Sequence, residues 1–205
     1  MIDPARKLEK AASAIDAGAL KVARLAIAEG CEEWLRLAKI FSERQEAVAP
    51  QDLHKFARAL ALTMLGQLPT RPETCPFCIQ YGKDRSCGGC GYALTHGRCD
   101  SDTSAFSLFI EAFQALGKAI YQDMECPEVD LDPLDAKKAM HQSLYASSRR
   151  AEKMLADLPS ASALDLMELK TSYLDEMIGL LPWRLLSFQV EERAKDVRER
   201  LKDYW

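Results

Sequence analysis

The sequence predicts an all-α protein, a helical bundle of about six helices with an embedded cysteine-rich loop module. Apolar residues recur at helical spacing along almost the whole chain, and strand-like alternation of apolar and polar residues is nearly absent. Residues 69–100 interrupt this pattern with three prolines, five glycines and five of the seven cysteines. We therefore expect N-terminal helices over 1–68, the cysteine-rich module over 69–100, and a central helix with antiparallel C-terminal helices over 101–205.

The N-terminal part is expected to contain three helices. Asp3 followed by Pro4 is typical of a helix start, because aspartate accepts a hydrogen bond at the cap and proline fits the first helical position. Gly18 is expected to separate this helix from a long second one, and a third helix is expected to follow Pro50. Cys31 falls on the apolar stripe of the second helix, so we interpret it as a buried packing thiol.

The C-terminal part is expected to contain four helices. Helical periodicity returns at Ser101 or Asp102, either of which can cap a central helix that runs to about Met124. The acidic segment 125–133 contains two prolines and is interpreted as a linker. Apolar stripes without matching sequence then indicate three packed antiparallel helices rather than a repeat array. These helices are expected over 134–158, over 161–181 and from Pro182 onward.

Several polar side chains have an expected structural place. His54 lies beside the apolar stripe of its helix and is expected to be solvated, whereas His141 lies near a stripe and is expected at a helix interface. The last helix carries opposite charges at i,i+4 spacing, which is typical of a solvent-exposed face. These pairs are Glu191 with Lys195 and Asp196 with Arg200.

Composition and charge exclude several classes of protein. The chain has no run of about 18 apolar residues and its first residues lack the apolar core of a signal peptide, so we expect a cytoplasmic protein without a membrane association. Lys and Arg number 13 against 19 Asp and Glu over 101–205, so we do not expect a nucleic-acid partner. In a reducing cytoplasm, cysteines are free thiols or metal ligands more often than disulfides.

The cysteines of residues 75–99 have the spacing of metal ligands. Cys75 and Cys78 form one CxxC pair, Cys87 and Cys90 form a second after eight intervening residues, and Cys99 follows after eight more. In a CxxC turn two thiolates converge on one ion, while backbone N–H groups point at the sulfurs. Two such turns complete a tetrahedral set of four thiolates, which suits Zn²⁺ and also a single iron. We expect these two pairs to be the chief ligands and Cys99 to be a fifth candidate.

The second turn, CGGCGY from Cys87 to Tyr92, resembles the metal-binding knuckle of rubredoxins and zinc ribbons. The resemblance covers six residues. The first CxxC pair, Cys75 and Cys78, resembles the knuckle more weakly, because Ile79 replaces the usual glycine. In those families the two knuckles are much further apart and lie on β-hairpins. The resemblance therefore implies the chemistry of the knuckle here and not the fold.

The fifth cysteine leaves alternatives open. Five thiols exceed what one tetrahedral ion needs, so Cys99 is either a spare thiol or a ligand of a [4Fe–4S] cluster. The spacing differs from ferredoxin patterns, which place a third cysteine two residues after the second. His96 can replace a thiolate on zinc. Cys126 is expected to lie outside the site, because a helix of about 22 residues would carry it about 33 Å away.

These observations favour a metal-binding protein over an enzyme. The motifs HExxH, GxSxG, GxGxxG, CxxCH and the Walker loop do not occur in the sequence, and a site rich in thiolate is typical of closed, structural zinc. We expect a structural zinc protein with a binding or assembly role, whose partner is another protein or a second copy. The second hypothesis is an electron-transfer or redox-sensing protein in which the same cysteines hold iron or a [4Fe–4S] cluster.

Overall fold

Nine α-helices and no β-strand are present in the part of the chain that the structure, a computed structural model, describes: residues 3–82, 87, 89–124 and 132–205. The all-α class is confirmed, but the expected count of about six helices is wrong. Two of the helices, α4 and α5, are six residues long and lie in the cysteine-rich segment, which was expected to be a loop. The helices are Pro4–Ser13 (α1), Ala17–Gln45 (α2), Leu53–Gly66 (α3), Pro76–Tyr81 (α4), Gly91–His96 (α5), Ala105–Gln122 (α6), Pro133–Asp157 (α7), Ala163–Gly179 (α8) and Phe188–Tyr204 (α9).

Capping side chains set the starts of the first two helices. The Asp3 carboxylate accepts a hydrogen bond from the backbone N–H of Ala5 at 3.2 Å, which confirms the predicted start of α1. The Asp16 carboxylate accepts from the N–H of Ala19 at 2.6 Å and begins α2. Gly18 lies inside the first turn of α2, so its expected role as a separator is wrong.

The central helix α6 begins a few residues later than the sequence suggested. Ser104, rather than Ser101 or Asp102, is its cap, and the Ser104 hydroxyl accepts from the backbone N–H of Ser107 at 3.1 Å. Ser101, Asp102, Thr103 and Ser104 can each cap a helix, and the sequence alone does not decide among them. Most of the expected linker, including Cys126, lies outside the described residues.

The last helix begins at Phe188 and not at Pro182, because residues Trp183–Leu185 form a separate 3-10 turn. Its exposed face carries the expected charge pairs. Lys195 Nζ lies 3.5 Å from a Glu191 carboxylate oxygen, and Arg200 Nε lies 3.5 Å from an Asp196 oxygen. Such exposed pairs add little stability, so the helix is held by its apolar face.

The helices enclose one continuous hydrophobic core. Its most extensive helix contacts are those of α6 with α9 and of α2 with α7. Cys31 lies in this core with 1% of its surface exposed, which confirms its interpretation as a packing thiol. Burial raises the pKa of Cys31 to about 11, and the neighbouring Tyr173 hydroxyl offsets part of this effect. None of the described helices is both long enough and apolar enough to span a membrane.

One histidine contradicts its prediction and another confirms it. His54 is not solvated: its side chain is 13% exposed and its Nε2 lies 3.2 Å from the Asp123 carboxylate. Asp123 also accepts the backbone N–H of Ser187 at 3.1 Å, so this buried carboxylate joins α3, the end of α6 and the start of α9. His141 lies at an interface as expected, with its Nδ1 3.3 Å from the side-chain amide nitrogen of Gln45.

Candidate metal centre

The cysteine-rich segment is packed into the body of the protein through two aromatic side chains. Phe77 on α4 and Tyr92 on α5 are 0% and 2% exposed. Their rings lie 6.0 Å and 6.1 Å from the ring of Trp205, which follows α9. The Tyr81 hydroxyl donates to the backbone carbonyl of Ala11 at 2.9 Å and ties α4 to α1. The segment therefore belongs to the common core and is not an appended loop.

Gly91 allows α5 to lie directly against α1. A Cβ atom at this position would stand 2.7 Å from the Ala11 Cβ and 2.7 Å from the Leu8 Cα, which no side chain tolerates without movement. The sequence motif predicts a glycine here for knuckle chemistry. The structure adds that the same glycine sets the distance between two helices.

Each CxxC pair contributes one cysteine at the start of a short helix. Cys75 is the N-cap residue of α4, and the backbone of Cys78 lowers the pKa of the Cys75 thiol, against the larger raising effects of the Cys78 side chain and burial. Cys90 is the N-cap residue of α5, and the backbone of Ala93 and Tyr92 offsets part of the rise that burial causes in the pKa of the Cys90 thiol. Neither sulfur makes a side-chain capping hydrogen bond to its helix, so the backbone-to-sulfur bonds expected of a metal-loaded CxxC turn stay a prediction.

Four thiols from three segments form a group that we call the thiol cluster: Cys75, Cys78, Cys90 and Cys99. The Cys78 thiol is within hydrogen-bonding reach of the thiols of Cys75 and Cys99, and Cys90 lies within electrostatic range of Cys75 and Cys78. Cys87, expected as a chief ligand, stands beside Cys90 and is partly exposed. The structure thus brings Cys99 into the group and leaves Cys87 at its edge.

Without a cation, the environment of the cluster favours neutral thiols. Contact with Cys78 and then burial raise the pKa of Cys75 well above its usual range. For Cys78, the contact with Cys75 lowers the pKa, but the contact with Cys99 and burial outweigh it and raise the pKa to about 12. Burial also raises the pKa of Cys90. Stable thiolates in this place therefore require a bound positive charge.

The donor set is chemically suited to a soft metal. Sulfur ligands select zinc, iron and iron–sulfur clusters over magnesium and calcium. Within the described residues, no group of three or more cysteine, histidine or acidic side chains is placed so that it could hold a metal ion. Binding of a metal ion here would therefore require the cysteine side chains to rearrange.

Two buried polar groups next to the thiol cluster have no hydrogen-bond partner among the described residues: Lys170 Nζ and the Tyr92 hydroxyl. Both side chains lie within electrostatic range of the thiols of Cys75, Cys78 and Cys99. A buried donor without an acceptor is costly. Metal-bound thiolates accept hydrogen bonds from surrounding N–H and O–H groups, so the two donors fit a loaded centre better than neutral thiols.

His96 occupies an aromatic stack. Its ring lies 4.6 Å from the ring of Tyr92 and 5.9 Å from that of Trp205, nearly parallel to both. Its Nδ1 is 2.6 Å from the Thr95 hydroxyl oxygen, and burial lowers the pKa of His96. The i,i+4 spacing of Tyr92 and His96 on a helix could have indicated this stacking from the sequence.

Sequence reasoning missed Lys170, although the sequence contains an indication of its position. Lys170 lies three residues after Met167 and three before Tyr173, in the middle of the apolar stripe of α8. A lysine at such a position is either forced into the core or paired there. Whether Lys170 is paired depends on the thiol cluster, whose cysteines lie 71 to 95 residues earlier in the chain. Helical periodicity could therefore not reveal the pairing.

Comparisons with known proteins do not place the chain in a family. No protein-family model matches it, and no curated protein or solved structure matches it at a significant level. The residues of the thiol cluster and their surroundings are therefore the basis for a functional proposal.

Proposed function

We propose that this protein binds a metal ion through cysteine thiolates, with zinc as the metal and a structural role for the ion. The observation that supports the proposal is that thiols from three segments of the chain lie within electrostatic range of one another: α4, the start of α5 and the stretch before α6. Four sulfur donors are the complement of a closed tetrahedral zinc site. Cys75 and Cys90 are buried, which also suits a closed site rather than one that admits substrate.

The ion would hold α4, α5 and the segment around Cys99 to one another. These elements contact α1, α2 and the end of α9, so a metal ion here would fix the surface that the N-terminal and C-terminal helices share. A rigid helical surface without a catalytic constellation suits a binding or assembly role. The partner would be another protein or a second copy of the chain.

The second candidate is an electron-transfer or redox-sensing protein in which the cysteines hold iron. Two observations favour it: the thiol cluster supplies the four thiolates that a [4Fe–4S] cluster takes, and the aromatic rings of Tyr92, His96 and Trp205 stack beside it. Stacked rings are common in cores, so their packing role accounts for them equally well. We therefore rank zinc first.

Metal analysis of protein purified without oxygen separates the two candidates. We expect about one zinc per chain and a colourless solution. Iron with a brown or red colour would favour the second candidate. A matched Cys31→Ala variant should keep the metal, because Cys31 is buried beside Tyr173 in the core. Folded, reduced wild-type protein that binds neither metal would contradict both candidates.

A further inference from the structure

Lys170 is an unusual residue for the position that it holds. Its side chain is 1% exposed on the apolar face of α8, and no described residue accepts a hydrogen bond from its Nζ. A buried ammonium without a partner is among the most costly arrangements in a protein interior. The residue therefore opposes folding unless something beside it favours a positive charge.

Two kinds of neighbour can favour a positive charge on Lys170: an aromatic ring and the thiols of the cluster. The Nζ atom lies 5.4 Å from the centre of the Tyr204 ring, whose face attracts cations but only weakly. The other neighbours with which it interacts electrostatically are the thiols of Cys75, Cys78 and Cys99. As neutral thiols these offer almost no compensation, whereas as metal-bound thiolates they offer a great deal.

Four thiolates on a divalent ion carry a doubly negative charge, and so do four thiolates on a [4Fe–4S] cluster in its oxidised form. Such a charge in a low-dielectric interior needs positive groups or N–H donors around the sulfurs. We propose that Lys170 is the counter-charge of the metal–thiolate centre, a positioning residue that stabilises the loaded state and destabilises the metal-free fold. This inference rests on the proposed function, because it assigns to Lys170 the task of maintaining the metal affinity of that site.

The counter-charge role predicts effects of opposite sign for one substitution. Lys170→Met keeps the length and apolar stem of the side chain and removes its charge. In metal-loaded protein the thiolates lose their counter-charge, so we expect zinc affinity to fall about 10- to 100-fold, as for other residues around metal ligands. In metal-free protein a buried amine without a hydrogen-bond partner disappears, so the urea midpoint of unfolding should stay the same or rise.

Zinc affinity would be measured by competition with a chromophoric chelator, on reduced protein, for the wild type and three variants. Lys170→Arg keeps the charge and should retain affinity closer to wild type than Lys170→Met does. Lys153→Met removes an exposed lysine of α7 and controls for net charge; it should bind zinc as the wild type does. Circular dichroism of each metal-free variant establishes that it is folded.

The following results would each overturn either the counter-charge role of Lys170 or the proposed metal site. Wild-type affinity in Lys170→Met, or equal losses in Lys170→Met and Lys170→Arg, would overturn the counter-charge role while leaving the metal site in place. A metal-free Lys170→Met protein that is unfolded or markedly destabilised would also overturn it, because the charge would then support the fold itself. Wild-type protein that takes up no zinc would instead defeat the proposed function on which the inference rests.

Discussion

The ring of Tyr92 lies parallel to the ring of Trp205, with 1° between their planes and 6.1 Å between their centres. Tyr92 belongs to the cysteine-rich segment and Trp205 follows the last helix, so this stack joins two parts of the chain that are distant in sequence. The thiols of the cluster lie within electrostatic range of the Tyr92 hydroxyl. We therefore expect a change at the cysteines, such as loss of a bound ion, to alter the packing at the end of α9.

Removal of the metal should loosen the cysteine-rich segment and spare the main bundle. Without an ion, the cysteine-rich segment keeps buried thiols and the unpartnered Tyr92 hydroxyl, whereas α6 packs along α9 through an apolar stripe. We expect a chelator to accelerate amide hydrogen exchange over 70–100 and at the end of α9, while 106–120 stays protected and most helical circular dichroism survives. Zinc added back should restore protection. Global loss of helix, or no change at all, would contradict this prediction.

Zinc affinity should increase with pH. The pKa of Cys78 is raised to about 12, and the pKa values of Cys75 and Cys90 are also raised, so these thiols remain protonated between pH 6 and 8. Each thiol that binds zinc must release its proton, and each released proton changes the apparent affinity about tenfold per pH unit. Chelator competition at pH 6, 7 and 8 would measure the slope. Affinity that does not vary with pH would mean that thiolates are not the ligands.

Cys99 and Cys87 differ in their contacts with the thiol cluster. Cys99 lies within hydrogen-bonding reach of Cys78, whereas Cys87 lies beside Cys90, and both residues are half-buried. We expect Cys99→Ser to lose most bound zinc and Cys87→Ser to retain it, as measured by zinc content after gel filtration. The reverse result would restore the ligand set that two CxxC pairs predict, with Cys99 as the spare thiol.

Two glycines should respond to alanine in opposite directions. In Gly91→Ala, a Cβ atom 2.7 Å from the Ala11 Cβ should push α1 away from α5 and cost about 1–3 kcal/mol. Gly117 lies within α6, and a Cβ atom added there would meet nothing within 4 Å, so Gly117→Ala should stabilise by about 0.5–1 kcal/mol through helix propensity. Urea unfolding measures both. A neutral Gly91→Ala would show that α1 and α5 can separate without cost.

The long helices could be predicted from the sequence because their apolar residues repeat over several turns. Ile27, Cys31 and Trp34 are all buried, as the period of α2 predicted. The short helices α4 and α5 could not, since a helix of six residues has too few turns to show a period.

Long-range pairing explains the remaining differences between sequence and structure. His54 was expected in solvent, but its partner Asp123 is 69 residues away in the chain. Lys170 meets cysteines of another segment in the same way. Within the candidate site, the spacing predicted that each CxxC pair lies in one local segment, and Cys75 and Cys90 stand at the starts of α4 and α5. It did not predict the place of Cys99, because the contact with Cys78 depends on how the intervening residues fold.

Zinc K-edge X-ray absorption of the reduced, zinc-loaded protein tests the proposed thiolate site most directly, because it counts the atoms that bind the ion. We expect about four sulfur atoms at about 2.3 Å and no nitrogen or oxygen in the first coordination sphere. The Cys75→Ser variant should bind too little zinc to give this spectrum. A coordination sphere of nitrogen and oxygen at about 2.0–2.1 Å would contradict the thiolate site, because it would mean that zinc binds elsewhere on the protein.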